Sequence, residues 1–405
     1  MNSLDETLTR RSLVMRSFSP SAPIADKTLF AGRIEQMSTL ISIAFQRGQH
    51  AVIYGERGVG KTSLARVMKS MFGETAWTSY YTCSSGDSFG SIWRSVLADF
   101  PITDTRPRAG FSNDSVVAAS TTLADMLGDE DPTPNKIRKI LDLLGEADGN
   151  AVIFIDEFDR PDDPVARSLF ADTIKILSDQ AIPVTLVLVG VADNIDELIA
   201  GHASVQRALV QIQMPRMTSE ELMEIVRQGM RSANLGVDDL FAKQVVKISQ
   251  GLPHYTHLLC QNAGVYVVEQ GRENVRAADF DFAITRALNN VSQTVREKYH
   301  RATFSNRETL YRQVLLACTM AEKDELGTFS APDVRDKLCE VTGRRYEIPA
   351  FANHLTDFSS MDGARGGILV KRGVLRRFRY RFIDPLLPPY ILMKGRTEGL
   401  TQELS

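Results

Sequence analysis

The segment Gly55-Glu56-Arg57-Gly58-Val59-Gly60-Lys61-Thr62 constrains this chain more than any other. It fits GxxxxGK[ST] and lies between a β-branched run at 51–54 and a helical stretch at 62–70, the strand-loop-helix context that the pattern's chemistry requires. Glycines let backbone amides wrap a chain of phosphates, and the N-terminus of the following helix adds positive potential. In such a loop Lys61 reaches the β- and γ-phosphates and the Thr62 hydroxyl ligates Mg2+. Gly55, Glu56, Arg57, Gly58, Val59, Gly60 and Ser63 complete the cradle.

Further apolar, β-branched runs recur at 77–83, 151–155, 184–189 and 210–214, with helical stretches between them. Continuous apolar strands separated by helices predict a parallel sheet covered on both faces, an α/β fold. Residues 99–134 are rich in Thr, Asp, Gly and Pro and read as an excursion between the second and third strands. The third run ends in Asp156-Glu157-Phe158-Asp159, which places two adjacent carboxylates at a strand's C-terminal edge. Asp156 is the expected metal ligand beside Thr62. Glu157 is expected to orient or deprotonate an attacking water, so its loss should stop hydrolysis and spare binding.

After Pro215 the strands stop, and 219–231, 237–250, 255–270 and 277–290 read as amphipathic helices. A last unit begins near Thr303, with a helix to Lys323, one opened by Ser330-Ala331-Pro332 and one opened by Pro349. Two strand-like runs at 367–371 and 378–383 follow, so the pattern is three helices and a wing. Residues 1–27 mix Ser, Thr, Pro and charge without a sustained period and read as a flexible arm. The expected organisation is an arm at 1–27, a nucleotide-binding domain at 28–215, a helical domain at 216–292, a winged helix at 300–393 and a tail at 394–405.

The formal net charge of −3, from 47 Lys plus Arg against 50 Asp plus Glu, excludes only a uniformly basic coat protein. It averages two opposed parts: residues 291–405 hold 19 basic and 14 acidic side chains, a balance of +5, which leaves −8 for the first 290. Cysteines 83, 260, 318 and 339 have neither CxxC spacing nor the density of a disulfide scaffold. With no membrane-length apolar run, the expectation is a cytoplasmic protein with free thiols and no membrane partner.

On these residues the sequence resembles an AAA+ ATPase of the Orc1/Cdc6-like and STAND-like branch, over roughly residues 28–290 and more loosely beyond. Phe30-Ala31-Gly32-Arg33-Ile34-Glu35 is similar to that branch's opening motif, which implies that Gly32 and Arg33 pack near the adenine. The resemblance implies a P-loop AAA+ sheet followed by an all-α lid and a winged helix. It also implies ATP and Mg2+ as cofactors, slow ATP hydrolysis, and a homo-oligomer assembled on ATP. A polar sensor ends the fourth strand in that family, which points to Asp193 or Asn194 here. The segment 202–207 resembles the stretch carrying an arginine finger, so Arg207, or failing it Arg216, would reach a neighbouring subunit's nucleotide. Gly251-Leu252-Pro253-His254 is similar to the family's second sensor turn, with His254 where arginine is usual.

In the last unit Arg365, Lys371, Arg372, Arg376, Arg377, Arg379 and Arg381 interleave with Phe378, Tyr380 and Phe382. On a hairpin, alternation puts Arg377, Arg379 and Arg381 on one face and the aromatics on the other, giving a ridge suited to DNA phosphates. The candidate recognition helix at 350–360 offers Asn353, His354 and Asp357 but no Lys or Arg, which predicts largely non-specific DNA contact. The competing expectation is a regulatory ATPase whose winged helix packs on the core or on a protein partner.

Overall fold

The computed structural model describes residues 3–20, 32–102, 121–146, 150–192, 205, 207–305, 309–324, 327–373 and 378–400. The chain forms two compact units: residues 23–56 with 60–215, and residues 1–22 with 57–59 and 216–405.

The first unit is built on five parallel strands, β1 (His50–Gly55), β2 (Trp77–Thr82), β3 (Ala151–Asp156), β4 (Val184–Val191) and β5 (Leu209–Gln213), in the order β2-β3-β4-β1-β5. Its helices are α2 (Ile34–Ala44), α3 (Lys61–Phe72), α4 (Phe89–Ala98), α5 (Pro134–Glu146) and α6 (Pro164–Asp179). β3 shows why both faces must be covered, since all six of its residues are buried. Its odd-numbered side chains Ile153 and Ile155 join one core with Trp93 of α4, Ile140 of α5 and Phe170 of α6. Its even-numbered Phe154 faces the other way and stacks on Phe72 of α3. Asp156, two residues on, therefore shares the α3 face.

Register places the ends of the strands. Gly55 of β1 pairs with Val191 and Ile155 of β3 pairs with Leu188, both on β4. The loop after β1 and the acids after β3 thus leave the same edge of the sheet, with β4 between them. His50 opens β1 at the opposite edge, where it is fully buried and its Nδ1 accepts the Leu186 amide at 3.0 Å. Burial lowers its pKa from 6.5 to about 4, so the imidazole is neutral.

The second unit holds the helices α1 (Ser3–Ser17), α7 (Ser219–Ser232), α8 (Asp239–Ser249), α9 (Pro253–Glu269), α10 (Phe280–Asn290), α11 (Gln293–Thr303) and α12 (Tyr311–Met320). It continues through strand β6 (Phe329–Ser330), α13 (Ala331–Thr342), α14 (Ala352–Ser359), β7 (Leu369–Arg372), β8 (Arg379–Phe382) and α15 (Leu387–Thr397). β7 and β8 form the antiparallel pair read from the sequence, and β6 adds a third strand in the order β6-β8-β7.

The expected flexible arm at 1–27 is corrected here, because α1 occupies most of it. Val14 and Phe18 are fully buried, and they fill notches left by two glycines. A Cβ on Gly264 would lie 2.8 Å from Val14, and one on Gly229 would lie 2.2 Å from the Phe18 ring. Leu8 and Met15 are exposed on the same helix, so its apolar positions do not form the single stripe that a periodicity search needs. Residues 21–31 lie outside the described residues.

Candidate functional site

The phosphate loop is shaped by its glycines. Gly55, Gly58 and Gly60 have φ of 147°, 88° and 99°, values that side-chain-bearing residues rarely adopt. At Gly55 a Cβ would also fall 2.5 Å from the Met214 carbonyl oxygen, so no larger residue fits without moving β5's exit. Gly60 leads directly into α3, whose N-terminal amides receive no side-chain cap, as at α2 and α9, and here follow the glycine loop. Lys61 is buried, and its Nζ donates to the Gly55 and Glu56 carbonyls at 2.9 and 2.8 Å. Thr62 and Ser63 occupy the first turn of α3.

At the end of β3, Asp156 is 2% exposed. Its Oδ1 accepts the Glu157 amide at 2.8 Å and its Oδ2 accepts the Tyr80 phenol at 2.6 Å. Burial, and then Asp156, push the Tyr80 pKa well above the ordinary phenol range, so this hydroxyl remains a donor. Glu157 sits in the left-handed region at φ 53°. Its side chain, 44% exposed, accepts Arg160 Nη1 at 2.8 Å. Strained backbone of this kind at a strand end is a recurrent feature of functional sites. Asp159 turns back to accept the Val191 amide at 2.8 Å, which locks the acidic turn onto the end of β4. Burial, and then Asp87, Asp156, Asp159 and Glu157, raise the Cys83 thiol to about 12.

The remaining sequence candidates are placed as follows. Gly32 and Arg33 have φ of 69° and 62°, and buried Arg33 donates to the Pro215 carbonyl at 2.6 Å, joining the start of α2 to the exit of β5. Arg207 is exposed just before β5, where the neighbouring Ala208 carbonyl accepts the His50 amide. That is the sheet edge opposite the phosphate loop. Arg216 donates to the Gln250 carbonyl at 3.1 Å. His254 is not open to solvent: its Nδ1 bonds the Pro20 carbonyl at 2.8 Å, and burial lowers its pKa. Asp193 and Asn194 lie outside the described residues. Tyr80, Arg160 and α3's Arg66 carry no motif in the sequence, and only the fold brings them to this edge.

In the C-terminal part Tyr380 and Phe382 of β8 are buried and Arg379 is exposed, while Arg381 is half-buried. The cationic side chains are unequal, however. Arg379 pairs with Asp324 at 2.9 Å and donates to Thr328 Oγ1 and the Thr328 carbonyl. The Arg365 guanidinium lies 3.9 Å from the Tyr311 ring centre and donates to the Ala302 carbonyl. Lys371 lies over the Phe378 ring, and Arg372 is exposed beside it. Arg376 and Arg377 fall outside the described residues. On α14, Asp357 accepts the Tyr311 hydroxyl and His354 packs on the same ring, so both face the fold.

A parallel sheet in this order, with a phosphate loop after β1 and acids after β3, defines an AAA+-type P-loop NTPase. The chain belongs to the family of novel STAND NTPases 1 (nSTAND1), whose model matches residues 16–357. No curated protein matches it. Among solved structures it is similar to a Walker-type ATPase of Pyrococcus abyssi, at 16% identity and a TM-score of 0.53, over 92% of this chain and 99% of that one. It is also similar to Cdc6p of Pyrobaculum aerophilum, at 17% identity and a TM-score of 0.49, over 96% and 99% of the two chains.

Proposed function

We propose that this NTPase is an ATP-dependent switch that binds ATP with Mg2+ through the 55–63 loop and hydrolyses it slowly. The observation that carries the reading is the uncapped N-terminus of α3, fed by the glycine loop and Lys61, at the sheet edge where the buried Asp156 and strained Glu157 also end. The loop amides and Lys61 would hold the phosphates, and Thr62 with Asp156 would hold the cation. Among the described residues no cluster of three or more His, Cys, Asp or Glu side chains is arranged to hold a metal. A site with one carboxylate and one hydroxyl fits Mg2+, which commonly shares its ligands with substrate phosphates and water. Bound there, the ion supplies charge neutralisation at the β- and γ-phosphates. Glu157 is the group that orients or deprotonates the attacking water, and the γ-phosphate contact falls to Asp193 or Asn194. Gly32 and Arg33 border the base.

Arg207 stands at the far edge of the sheet from its own phosphate loop, about five strand residues or 17 Å along β1. That placement suits a finger serving the next subunit, so turnover should depend on assembly. Arg216 is already bonded to the lid turn and is the weaker candidate. Nucleotide binding by wild type and its loss in Lys61→Ala is the direct test.

For the output we favour a regulatory ATPase of the STAND kind over a DNA switch. The C-terminal strands and helices read as a winged helix share one compact unit with the lid helices, and Tyr255 of the lid donates to the Leu386 carbonyl at 2.6 Å. Lid and winged helix would then respond to nucleotide together and present one surface to a protein partner. The DNA reading rests on Lys371, Arg372, Arg376, Arg377 and Arg381; Arg379 and Arg365 bond within the fold.

A further inference from the structure

Tyr80 has no place in the phosphate-loop chemistry, yet it makes the shortest bond to the buried acid. It lies on edge strand β2 directly opposite Phe154 in the parallel register, so its side chain shares the α3 face with Phe154 and Asp156. From there it reaches diagonally to Asp156 Oδ2 at 2.6 Å. The ring is itself held: it stacks on Phe154 with centroids 6.2 Å apart, and the Arg66 guanidinium of α3 lies 5.3 Å from its centre. With the Glu157 amide on Oδ1, both carboxylate oxygens are tied, which fixes the plane of the group. Each oxygen keeps a second acceptor site for a cation or its water.

We propose that Tyr80 is a positioning residue for the divalent cation, orienting the Asp156 carboxylate through its hydroxyl while Arg66 links that hydroxyl's ring to the helix that carries the phosphate loop. This rests on the reading of Asp156 as the magnesium-holding acid. Partners of this kind set metal affinity because a free carboxylate must be oriented at the moment of binding, and their removal weakens metal binding about 10- to 100-fold. The arrangement also explains why an edge strand, otherwise half-exposed, spends a large aromatic here.

The test is Tyr80→Phe, which keeps the ring and its stack and removes only the hydroxyl. Mn2+ binding is followed by electron paramagnetic resonance with a non-hydrolysable ATP analogue present, and analogue binding is measured separately in EDTA. Mn2+ affinity should fall at least about 10-fold with the EDTA affinity unchanged. Asp156→Asn is measured alongside. If Asp156→Asn binds Mn2+ like wild type, the magnesium reading of Asp156 fails. If Asp156→Asn loses Mn2+ while Tyr80→Phe stays within about twofold of wild type, the role of Tyr80 is wrong. An equal loss by Tyr80→Phe with and without the cation also overturns it, since that is what a merely structural ring would give.

Discussion

Replacing Phe18 by alanine tests whether the N-terminal helix is part of the lid. Phe18 is fully buried, its ring meets His257 edge-on at 5.9 Å between centroids, and its edge fills the space above Gly229. Gln261 also donates to its carbonyl at 2.6 Å. A buried Phe→Ala change costs about 3 to 5 kcal/mol. Two-state unfolding is not expected of a chain with two units, so the proper readout is native-state hydrogen exchange of the slowest α9 amides. At 1.4 kcal/mol per decade, they should exchange roughly 10² to 10⁴ times faster. Gly229→Ala should also destabilise, because its new methyl enters the ring's space, and the two changes together should cost less than their sum. Unchanged α9 exchange in Phe18→Ala would show that the helix is not packed as described.

Acid should weaken both units through buried neutral histidines. His50 in the first unit and His257 in the second are each lowered by burial from 6.5 to about 4. The unfolded chain takes up protons first, so each contributes its full stability above pH 6.5 and loses it as pH falls towards 4, by about 3 kcal/mol at most. His50→Asn should flatten that acid slope for the first unit in a stability-against-pH series, and an unchanged slope would rule the group out. Mixing Lys61→Ala, which keeps its finger, with Arg207→Ala, which keeps its site, should restore part of the turnover that each lacks alone. No restoration at any ratio would remove the finger from Arg207. Duplex binding, if it occurs, should fall steeply with salt and fall further in Lys371→Glu/Arg372→Glu; absence of binding at low salt leaves the regulatory reading standing alone.

The parts of this molecule legible in the sequence are those with a repeating signal. The central strands β1, β3 and β4 are apolar runs, and the phosphate loop and the acids sit at the ends of β1 and β3, so pattern and motif agree. What was not legible depends on contacts across the chain. α1 buries only one end of itself, against glycines more than 200 residues away, so neither its pattern nor its composition announces a helix in the core. β6 is two residues long and exists by pairing with β8. Tyr80 and Asp156 are 76 positions apart, and only the register of β2 on β3 makes them neighbours. Of the expected arginine ridge, Arg379 is exposed opposite buried Tyr380 and Phe382, but sequence cannot show that Asp324 and Thr328 already hold it.

One sheet edge is proposed to bind and hydrolyse ATP with separable residues. The most direct measurement is ATP binding and single-turnover hydrolysis for wild type, Lys61→Ala and Glu157→Gln with Mg2+ present. Lys61→Ala should not bind, and Glu157→Gln should bind like wild type while hydrolysing at least about 10²-fold more slowly. Full hydrolysis by Glu157→Gln, or wild-type binding by Lys61→Ala, would contradict that proposal.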